Sequence, residues 1–242
     1  HKTMKIVYEM KRDYNCRFIR GNREEYMLHH RKKPGERWTY SSASGSLLYT
    51  YENLTERDFG FFESLDIEGY YEKEGYPPFR YCHGSLTRSN EILEPEGENT
   101  RQLMNSLDVD LLVSGHMHFQ EEKMYDGKKI LHPGAVGVSW YFDGRTQYMM
   151  LHGAKSGWEA AFFQLDYDVE KVVKDFETSG LNEKAPAWSK VTIHTLRTGN
   201  DYNLACLTRA KELCEKAEGT VVWPDIPEKY WQQALQEFGI VD

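Results

Sequence analysis

The stretch Val113-Ser114-Gly115-His116-Met117-His118 decides how the rest of the sequence is interpreted. It continues the apolar run of residues 111–113, which is typical of a short buried strand. A strand that ends in glycine and is followed by two histidines presents two imidazoles at the edge of a sheet, where α/β proteins bind their ligands. Imidazole binds zinc, iron and manganese, and histidines at i and i+2 hold either one ion or two neighbouring ions. The stretch therefore predicts a metal site in an α/β protein, if further ligands gather around it.

The composition is that of a folded protein with an acidic balance. A chain of 242 residues with 16 Tyr, 11 Phe and 6 Trp has enough apolar surface for a large core, which argues against disorder. We predict one domain over residues 1–242, with two smaller domains as the alternative. The net charge of -8 argues against a general nucleic-acid-binding protein, which needs a basic face. A small phosphorylated ligand is compatible with this charge, because bound metal ions supply positive charge locally.

The cysteines and the hydropathy pattern indicate the compartment. Cys16, Cys82, Cys206 and Cys214 are scattered and form no Cys-x-x-Cys pair, so we predict reduced and mostly buried thiols. No apolar run approaches the roughly 18 residues of a membrane span, and no signal-peptide pattern is present. The sequence therefore predicts a cytoplasmic protein that does not bind a membrane.

Hydrophobic periodicity predicts a mixture of helices and strands. Two helices have clear start signals, the capping pattern Thr55 to Asp58 and the carboxylate of Asp168. A tight turn at Asp126-Gly127 predicts a hairpin over residues 124–131, and Pro77-Pro78 is expected to break the chain before a strand. A loop is predicted over residues 31–46. The other expected elements are helices at 4–11, 26–30, 55–65, 100–107, 168–180, 204–217 and 227–238, and strands at 16–20, 67–71, 79–82, 109–113, 147–152 and 158–166.

Three predicted strand ends carry side chains that bind metals. They are Gly21-Asn22, His83-Gly84 and the stretch from Gly115 to His118. Each places an amide oxygen or an imidazole beside a glycine after an apolar segment. Because such ends meet at one edge of a sheet, we expect these side chains to converge.

With these motifs in this order, the chain resembles the calcineurin-like metallophosphoesterases, and specifically their small bacterial and archaeal phosphodiesterase branch. That family carries Asp-x-His, Gly-Asp, Gly-Asn-His-Asp/Glu, His-Gly and Gly-His-x-His in order. The last three correspond here to Gly21-Asn22-Arg23-Glu24, His83-Gly84 and Gly115-His116-Met117-His118. His132-Pro133-Gly134-Ala135-Val136-Gly137 is similar to the Asn-Pro-Gly-Ser-x-Gly turn of the branch, and Asp166-Tyr167-Asp168 resembles its Tyr-Asp segment.

The resemblance implies a fold and a ligand set. The fold would be α/β, a four-layer α-β-β-α sandwich, with the helices of residues 168–242 packing on it or extending it. Asn22, His83 and His116 would bind one divalent ion and His118 a second, with manganese, iron or zinc as the metals. The Asp-x-His and Gly-Asp motifs have no counterpart, and the chain starts with His1 close to a predicted helix. We therefore expect the first βαβ portion of the fold to lie upstream of the given sequence.

Arg23 stands where many members of the family have a catalytic histidine. Arginine does not release its proton near neutral pH, so it is not a general acid. It holds a phosphate oxygen well through its planar fork, which makes Arg23 a predicted substrate-binding and transition-state contact. The proton for the leaving group would then come from metal-bound water or from another side chain. The alternative is a surface ion pair of Arg23 with Glu24 or Glu25.

Two further residues near the motifs have ordinary structural interpretations. Cys82 precedes His83, but neighbours in a strand point to opposite faces, so we predict a core cysteine rather than a nucleophile. His132 replaces the usual asparagine of the turn, and we expect it to hydrogen-bond the backbone.

The function implied is metal-dependent hydrolysis of a phosphodiester or a nucleotide, in which two ions activate a water that attacks in line. Arg23 favours substrates with good leaving groups. The alternatives are a dinucleoside polyphosphate hydrolase, a degenerate member that binds a metal or nucleotide without turnover, and a protein that binds a single ion. The expected partner is a small nucleotide-like substrate, and a homo-oligomer is compatible with the family.

Overall fold

The computed structural model describes residues 2–33 and 37–240. The chain divides into two compact units, which are described separately. The first unit comprises His1–Lys32, Leu54–Gly137 and Gln147–Leu165, and the second comprises Lys33–Asn53, Val138–Thr146 and Asp166–Asp242. The single domain over residues 1–242 stays a prediction.

The first unit is a mixed α/β structure. Its helices are α1 (Lys2–Asp13), α2 (Asn22–Lys32), α4 (Glu56–Glu63) and α5 (Glu98–Ser106). Its strands are β1 (Glu68–Lys73), β2 (Tyr76–Cys82), β3 (Leu111–Ser114), β4 (Gln120–Tyr125), β5 (Lys128–Pro133), β6 (Thr146–Ala154) and β7 (Gly157–Leu165). The predicted α/β class is therefore confirmed, and the hairpin around Asp126-Gly127 is present as β4 and β5.

Five of these strands form one mixed sheet in the order β1-β2-β3-β5-β4. The three central strands β2, β3 and β5 are parallel, and the outer strands β1 and β4 pair antiparallel to their neighbours. The centre of the sheet is apolar, as parallel strands require. Leu112 and Ile130 face each other across β3 and β5 and are fully buried, together with Met104 from α5.

Strand β6 pairs with β7 in a separate two-stranded sheet. Trp158 of β7 packs on the five-stranded sheet, with its ring 5.1 Å from that of Phe79 and its Nε1 donating to Pro77 O at 2.8 Å. Aromatic side chains thus fill the space between the two sheets.

The structure corrects the expected break at Pro77-Pro78. Both prolines lie inside β2, because the register between β1 and β2 shifts between Tyr71 and Lys73, opposite these residues. The shift removes the regular ladder where proline has no N–H to donate.

The strand predicted over residues 16–20 is wrong. This segment pairs with no strand in the described residues, although Arg20 N donates to Asp66 O at 2.7 Å and Arg17 Nη1 donates to Tyr70 O of β1 at 3.3 Å. Gly21 and Asn22 therefore follow an irregular segment, and Asn22 is the first residue of α2.

Helix α4 begins with the capping box that its sequence predicts. Asp58 accepts from Thr55 N at 2.8 Å, and Thr55 Oγ1 accepts from Asp58 N at 3.4 Å. The same carboxylate accepts from the hydroxyl of Tyr8 at 2.7 Å, which ties α1 to α4. Asp58 is 3% exposed, so these bonds form away from water.

Asp58→Ala is expected to lower the free energy of unfolding by about 2 kcal/mol, because it removes the cap and leaves the Tyr8 hydroxyl without its acceptor. Urea unfolding followed by circular dichroism measures the change. Glu63→Ala, at the exposed end of the same helix, is the matched control and should shift stability by less than about 0.5 kcal/mol. Equal effects of the two substitutions would contradict the role of Asp58.

The second unit is helical. Its helices are α3 (Gly45–Glu52), α6 (Val169–Thr178), α7 (Leu181–Lys184), α8 (Pro186–Thr198), α9 (Asn203–Glu218) and α10 (Glu228–Glu237). Asp168 caps α6 as predicted, accepting from Lys171 N at 2.9 Å. The core lies among α8, α9 and α10, where Val191, Ala210 and Trp231 are buried. The loop expected over residues 31–46 is shorter, since α2 continues to Lys32 and α3 begins at Gly45, and residues 34–36 lie outside the described residues.

All four cysteines are free thiols, as predicted. Cys82, Cys206 and Cys214 are buried, and Cys16 is partly exposed. Burial raises the pKa of Cys82 to about 12 and that of Cys206 to about 11. Among the described residues, none of the helices combines the length and the apolar character that a membrane crossing needs.

Candidate metal centre

The candidate site forms where two neighbouring parallel strands end. Cys82 at the end of β2 is the register partner of Ser114 at the end of β3. The next residues, His83 and Gly115, therefore leave the sheet side by side, and Gly115 N donates to Cys82 O at 3.0 Å. The chain thus brings two of the predicted motifs to one carboxyl edge of the sheet, as expected for ligand sites in α/β proteins.

The segment from Gly115 to His118, called here the double-histidine loop, has a strained backbone. His116 has a φ of 64°, in the left-handed region that residues with a Cβ rarely adopt. Such a conformation costs on the order of 1–3 kcal/mol and is concentrated at functional sites. Met117 between the two histidines is buried, while His116 and His118 are partly exposed.

Asn22 and His83 bring their polar atoms together. Asn22 Oδ1 lies 3.1 Å from His83 Nε2, although 61 positions separate the two residues in sequence. Gly21 makes this approach possible, because a Cβ at this position would lie 3.2 Å from the His83 ring. The ring of His116 lies 5.1 Å from that of His83, centre to centre. The structure therefore brings Asn22, His83 and His116 together, as predicted.

The start of α2 orients Asn22. The carboxylate of Glu24 accepts from Gly21 N at 2.8 Å, which satisfies a backbone donor at the beginning of the helix. Glu25 is held by an ion pair with Arg20, with 3.5 Å between Arg20 Nε and Glu25 Oε1, and by a hydrogen bond from the buried Ser89 hydroxyl. These supporting roles were not predicted, since they depend on contacts between segments distant in sequence.

Burial and neighbouring charges keep His83 and His116 neutral near pH 7. Burial, with the charges of His116 and His118 adding to it, lowers the pKa of His83 to about 4. Burial, then His118 and Arg23, lowers the pKa of His116 as well. His118 is therefore near both rings. Neutral imidazole is the form that binds metal ions, so His83 and His116 suit this role near pH 7, and a bound ion would take the place of the proton that His83 Nε2 donates to Asn22 Oδ1.

Arg23 is directed toward the same place. Its positive charge contributes to the lowered pKa of His116, so its guanidinium lies near that ring. The residue keeps substantial contact with solvent, yet the protein around its head group removes water and lowers the pKa of the guanidinium. In the described part of the chain, Arg23 forms no ion pair with Glu24 or Glu25, and its closest aromatic contact is Tyr26. The surface ion pair considered as an alternative is therefore absent.

Cys82 and His132 lie behind the site. Cys82 is 2% exposed and its raised pKa keeps the thiol protonated, which supports a core cysteine and excludes a thiolate at neutral pH. His132 is fully buried, and its Nδ1 lies 3.0 Å from Ser114 O. The expected hydrogen bond of His132 to the backbone is confirmed.

The donor set suits a divalent ion. When two ligand atoms each lie about 2.1 Å from one ion, at an angle between a right angle and the tetrahedral angle, they lie about 3.0–3.4 Å from each other. The separation of Asn22 Oδ1 and His83 Nε2 falls in this range. Within residues 2–33 and 37–240, no three His, Cys, Asp or Glu side chains are grouped closely enough to hold an ion by themselves. A metal site among these residues therefore needs the amide oxygen of Asn22 as a ligand, in addition to the imidazoles of His83 and His116. The assignment of His118 to a second ion stays a prediction.

Comparison with known proteins was made by sequence and by structure. No protein-family model matches the sequence, and no curated protein matches it. A hypothetical protein from Pyrococcus horikoshii OT3 has a similar structure, with a TM-score of 0.65 and 15% identity, over 82% of this chain and 79% of that one. A metallophosphoesterase from Sphaerobacter thermophilus is similar with a TM-score of 0.63 and 16% identity, over 81% of this chain and 82% of that one. At these identities the likeness concerns the fold: this chain has an α/β fold similar to that of a metallophosphoesterase.

Proposed function

We propose that the protein is a metal-dependent phosphoesterase that cleaves phosphodiesters or nucleotides. The observation that carries the proposal is the approach of Asn22 Oδ1 to His83 Nε2 at 3.1 Å, beside His116 at the carboxyl edge of the sheet. The similarity in fold to a metallophosphoesterase supports the same conclusion.

Asn22, His83 and His116 would hold one divalent ion, and His118 would contribute to a second. Mixed imidazole and amide ligands suit manganese, iron or zinc. When bound, such ions polarise phosphoryl oxygens and lower the pKa of water. Burial supports this role, because it lowers the pKa of His83 to about 4 and so leaves the imidazole neutral near pH 7.

Arg23 would bind the phosphate. Its guanidinium stays protonated near pH 7 even with a lowered pKa, so it offers donors to a phosphoryl oxygen and stabilises negative charge in the transition state. The same property prevents it from protonating a leaving group. Substrates whose leaving groups need no proton, such as nucleotide anhydrides and activated diesters, are therefore favoured, and dinucleoside polyphosphates are the second substrate class proposed.

The test is hydrolysis of bis-p-nitrophenyl phosphate by the full natural chain, with Mn²⁺ and with a chelator. We expect activity with Mn²⁺, no activity with the chelator, and loss of at least about 100-fold in His116→Ala, because removing a ligand should cost at least as much as removing its outer partner. His152→Ala is the control, since His152 is exposed on β6.

Two outcomes would contradict this function, and a third would change the number of metal ions in it. Activity that persists with the chelator would exclude the metal. A protein that binds ions but hydrolyses neither this substrate nor a panel of nucleotides would favour the degenerate, non-catalytic member. The presence of Arg23 where the family has a catalytic histidine also favours that alternative. A single bound ion with activity would replace the dinuclear centre by a mononuclear one. The cytoplasmic location and a homo-oligomer stay predictions.

A further inference from the structure

Beneath the double-histidine loop, one buried side chain contacts both ends of the segment. His132 in β5 lies 3.0 Å by its Nδ1 from Ser114 O, the carbonyl just before Gly115. Its ring also packs against Phe119, the residue just after His118, with 5.9 Å between the ring centres. His132 therefore spans the base of the loop that carries both predicted ligands.

The position of His132 follows from the sheet. Strands β3 and β5 pair in parallel up to Val113 and Leu131, so Ser114 and His132 are the next residues beyond the last ladder pair. The backbone ladder between β3 and β5 ends here, and the imidazole of His132 supplies the next hydrogen bond between the two strands. The hydroxyl of Ser114 donates to Gly84 O at 2.8 Å, next to His83. Ser114 is thus fixed on one side to the His83 segment and on the other to His132.

The chemistry of the ring identifies its protonated nitrogen. Burial lowers the pKa of His132, although the carbonyls of Ser114, Gly115 and Leu93 oppose this, so the ring is neutral near pH 7 and has one N–H. A carbonyl oxygen accepts but does not donate, so the proton of the contact with Ser114 O lies on Nδ1. Nε2 is then an acceptor, and it is buried without a hydrogen-bond partner among the described residues.

An unpaired buried acceptor is unfavourable, by roughly 1–3 kcal/mol. An apolar residue of similar size would avoid this cost but would offer no donor to Ser114 O. The loop above needs such support, because His116 has a left-handed backbone that tends to relax.

We propose that His132 is a positioning residue, which holds Ser114 O and Phe119 so that the strained loop presents His116 and His118 to the metal. This rests on the proposed metal site. His132 itself contacts neither the metal nor the substrate. Its effect would be exerted through the backbone, in the way that outer partners orient metal ligands.

Asparagine and leucine at position 132 separate this role from simple packing. The amide nitrogen of an asparagine lies close to where a histidine carries Nδ1, so His132→Asn keeps the donor, whereas His132→Leu fills the site without one. Binding of Mn²⁺ to the full natural chain, measured by calorimetry, is the readout. We expect a loss of about 10- to 100-fold in affinity for His132→Leu and of less than about 3-fold for His132→Asn.

One further measurement and one further variant separate a loss of metal binding from a loss of the fold. Thermal unfolding without metal shows whether each variant is folded, and His132→Met serves as the donor-free variant if His132→Leu is not. Wild-type affinity in a folded donor-free variant would overturn the proposal, and so would equal losses in the asparagine and leucine variants. A wild-type chain that binds no Mn²⁺ would instead overturn the metal site, so the two failures are distinguishable.

Discussion

His83→Ala is expected to weaken the binding of Mn²⁺ by at least about 100-fold, and Asn22→Ala added to it should weaken binding by less than a further 3-fold or so. The reason is that Asn22 Oδ1 and His83 Nε2 lie 3.1 Å apart, close enough to bind the same ion. Once the imidazole is gone, the amide alone binds an ion poorly, so its loss adds little. The single variant Asn22→Ala should lose at least about 10-fold.

Calorimetric titration of the four proteins in this double-mutant cycle measures the coupling directly. His152→Ala is the matched control, because it removes an exposed histidine and should leave the affinity unchanged. Losses that simply add in the double variant would show that the two side chains act on separate sites, and would contradict a shared ion.

Leu112→Ala is expected to lower the free energy of unfolding by about 3–4 kcal/mol. Leu112 is fully buried in β3, in a cluster with Met104 from α5 and Ile130 from β5. Removing its side chain leaves a cavity between the sheet and the helix, and strands at the centre of a sheet have little freedom to close it. The destabilisation of β3 should also affect the candidate metal centre, since Ser114 is the last residue of this strand and the double-histidine loop follows it directly.

Urea unfolding monitored by tryptophan fluorescence tests this prediction. Met124→Ala on β4 is the control, because the methionine is 52% exposed and its truncation should cost less than about 0.5 kcal/mol. A cost of less than about 1 kcal/mol for Leu112→Ala would contradict the position of Leu112 in the core.

Elements with strong local signals were predicted well from the sequence. The caps at Thr55 and Asp168 and the turn at Asp126-Gly127 act over four residues or fewer, so the sequence alone specifies them. Residues 16–20 are of types that favour strands. A strand also needs a neighbouring strand to pair with, and the tertiary fold decides whether one lies beside it. Helix α8 was missed because Val191, Thr192 and Ile193 disfavour helices, and burial of this face overrides that preference.

The candidate site was predicted in its residues but not in its geometry. The positions of Asn22, His83 and His116 beside glycines led to the expectation that they converge, and the structure brings them together, while their role as metal ligands stays a prediction. The left-handed backbone of His116 and the support from Glu24 and His132 were not predictable, because they depend on segments that meet only in the folded chain. In β5 three consecutive residues, Ile130, Leu131 and His132, are buried, so no alternation along the strand marked His132 as an inward side chain.

The unequal burial of the four thiols gives the protein a built-in place for a spectroscopic label. Among the described residues, Cys16 is the cysteine with appreciable solvent contact, whereas the other three are enclosed. Among the described residues, a maleimide dye applied to the folded protein should therefore attach at a single position, six residues before Asn22. Fluorescence from that dye would report metal entering the centre in real time.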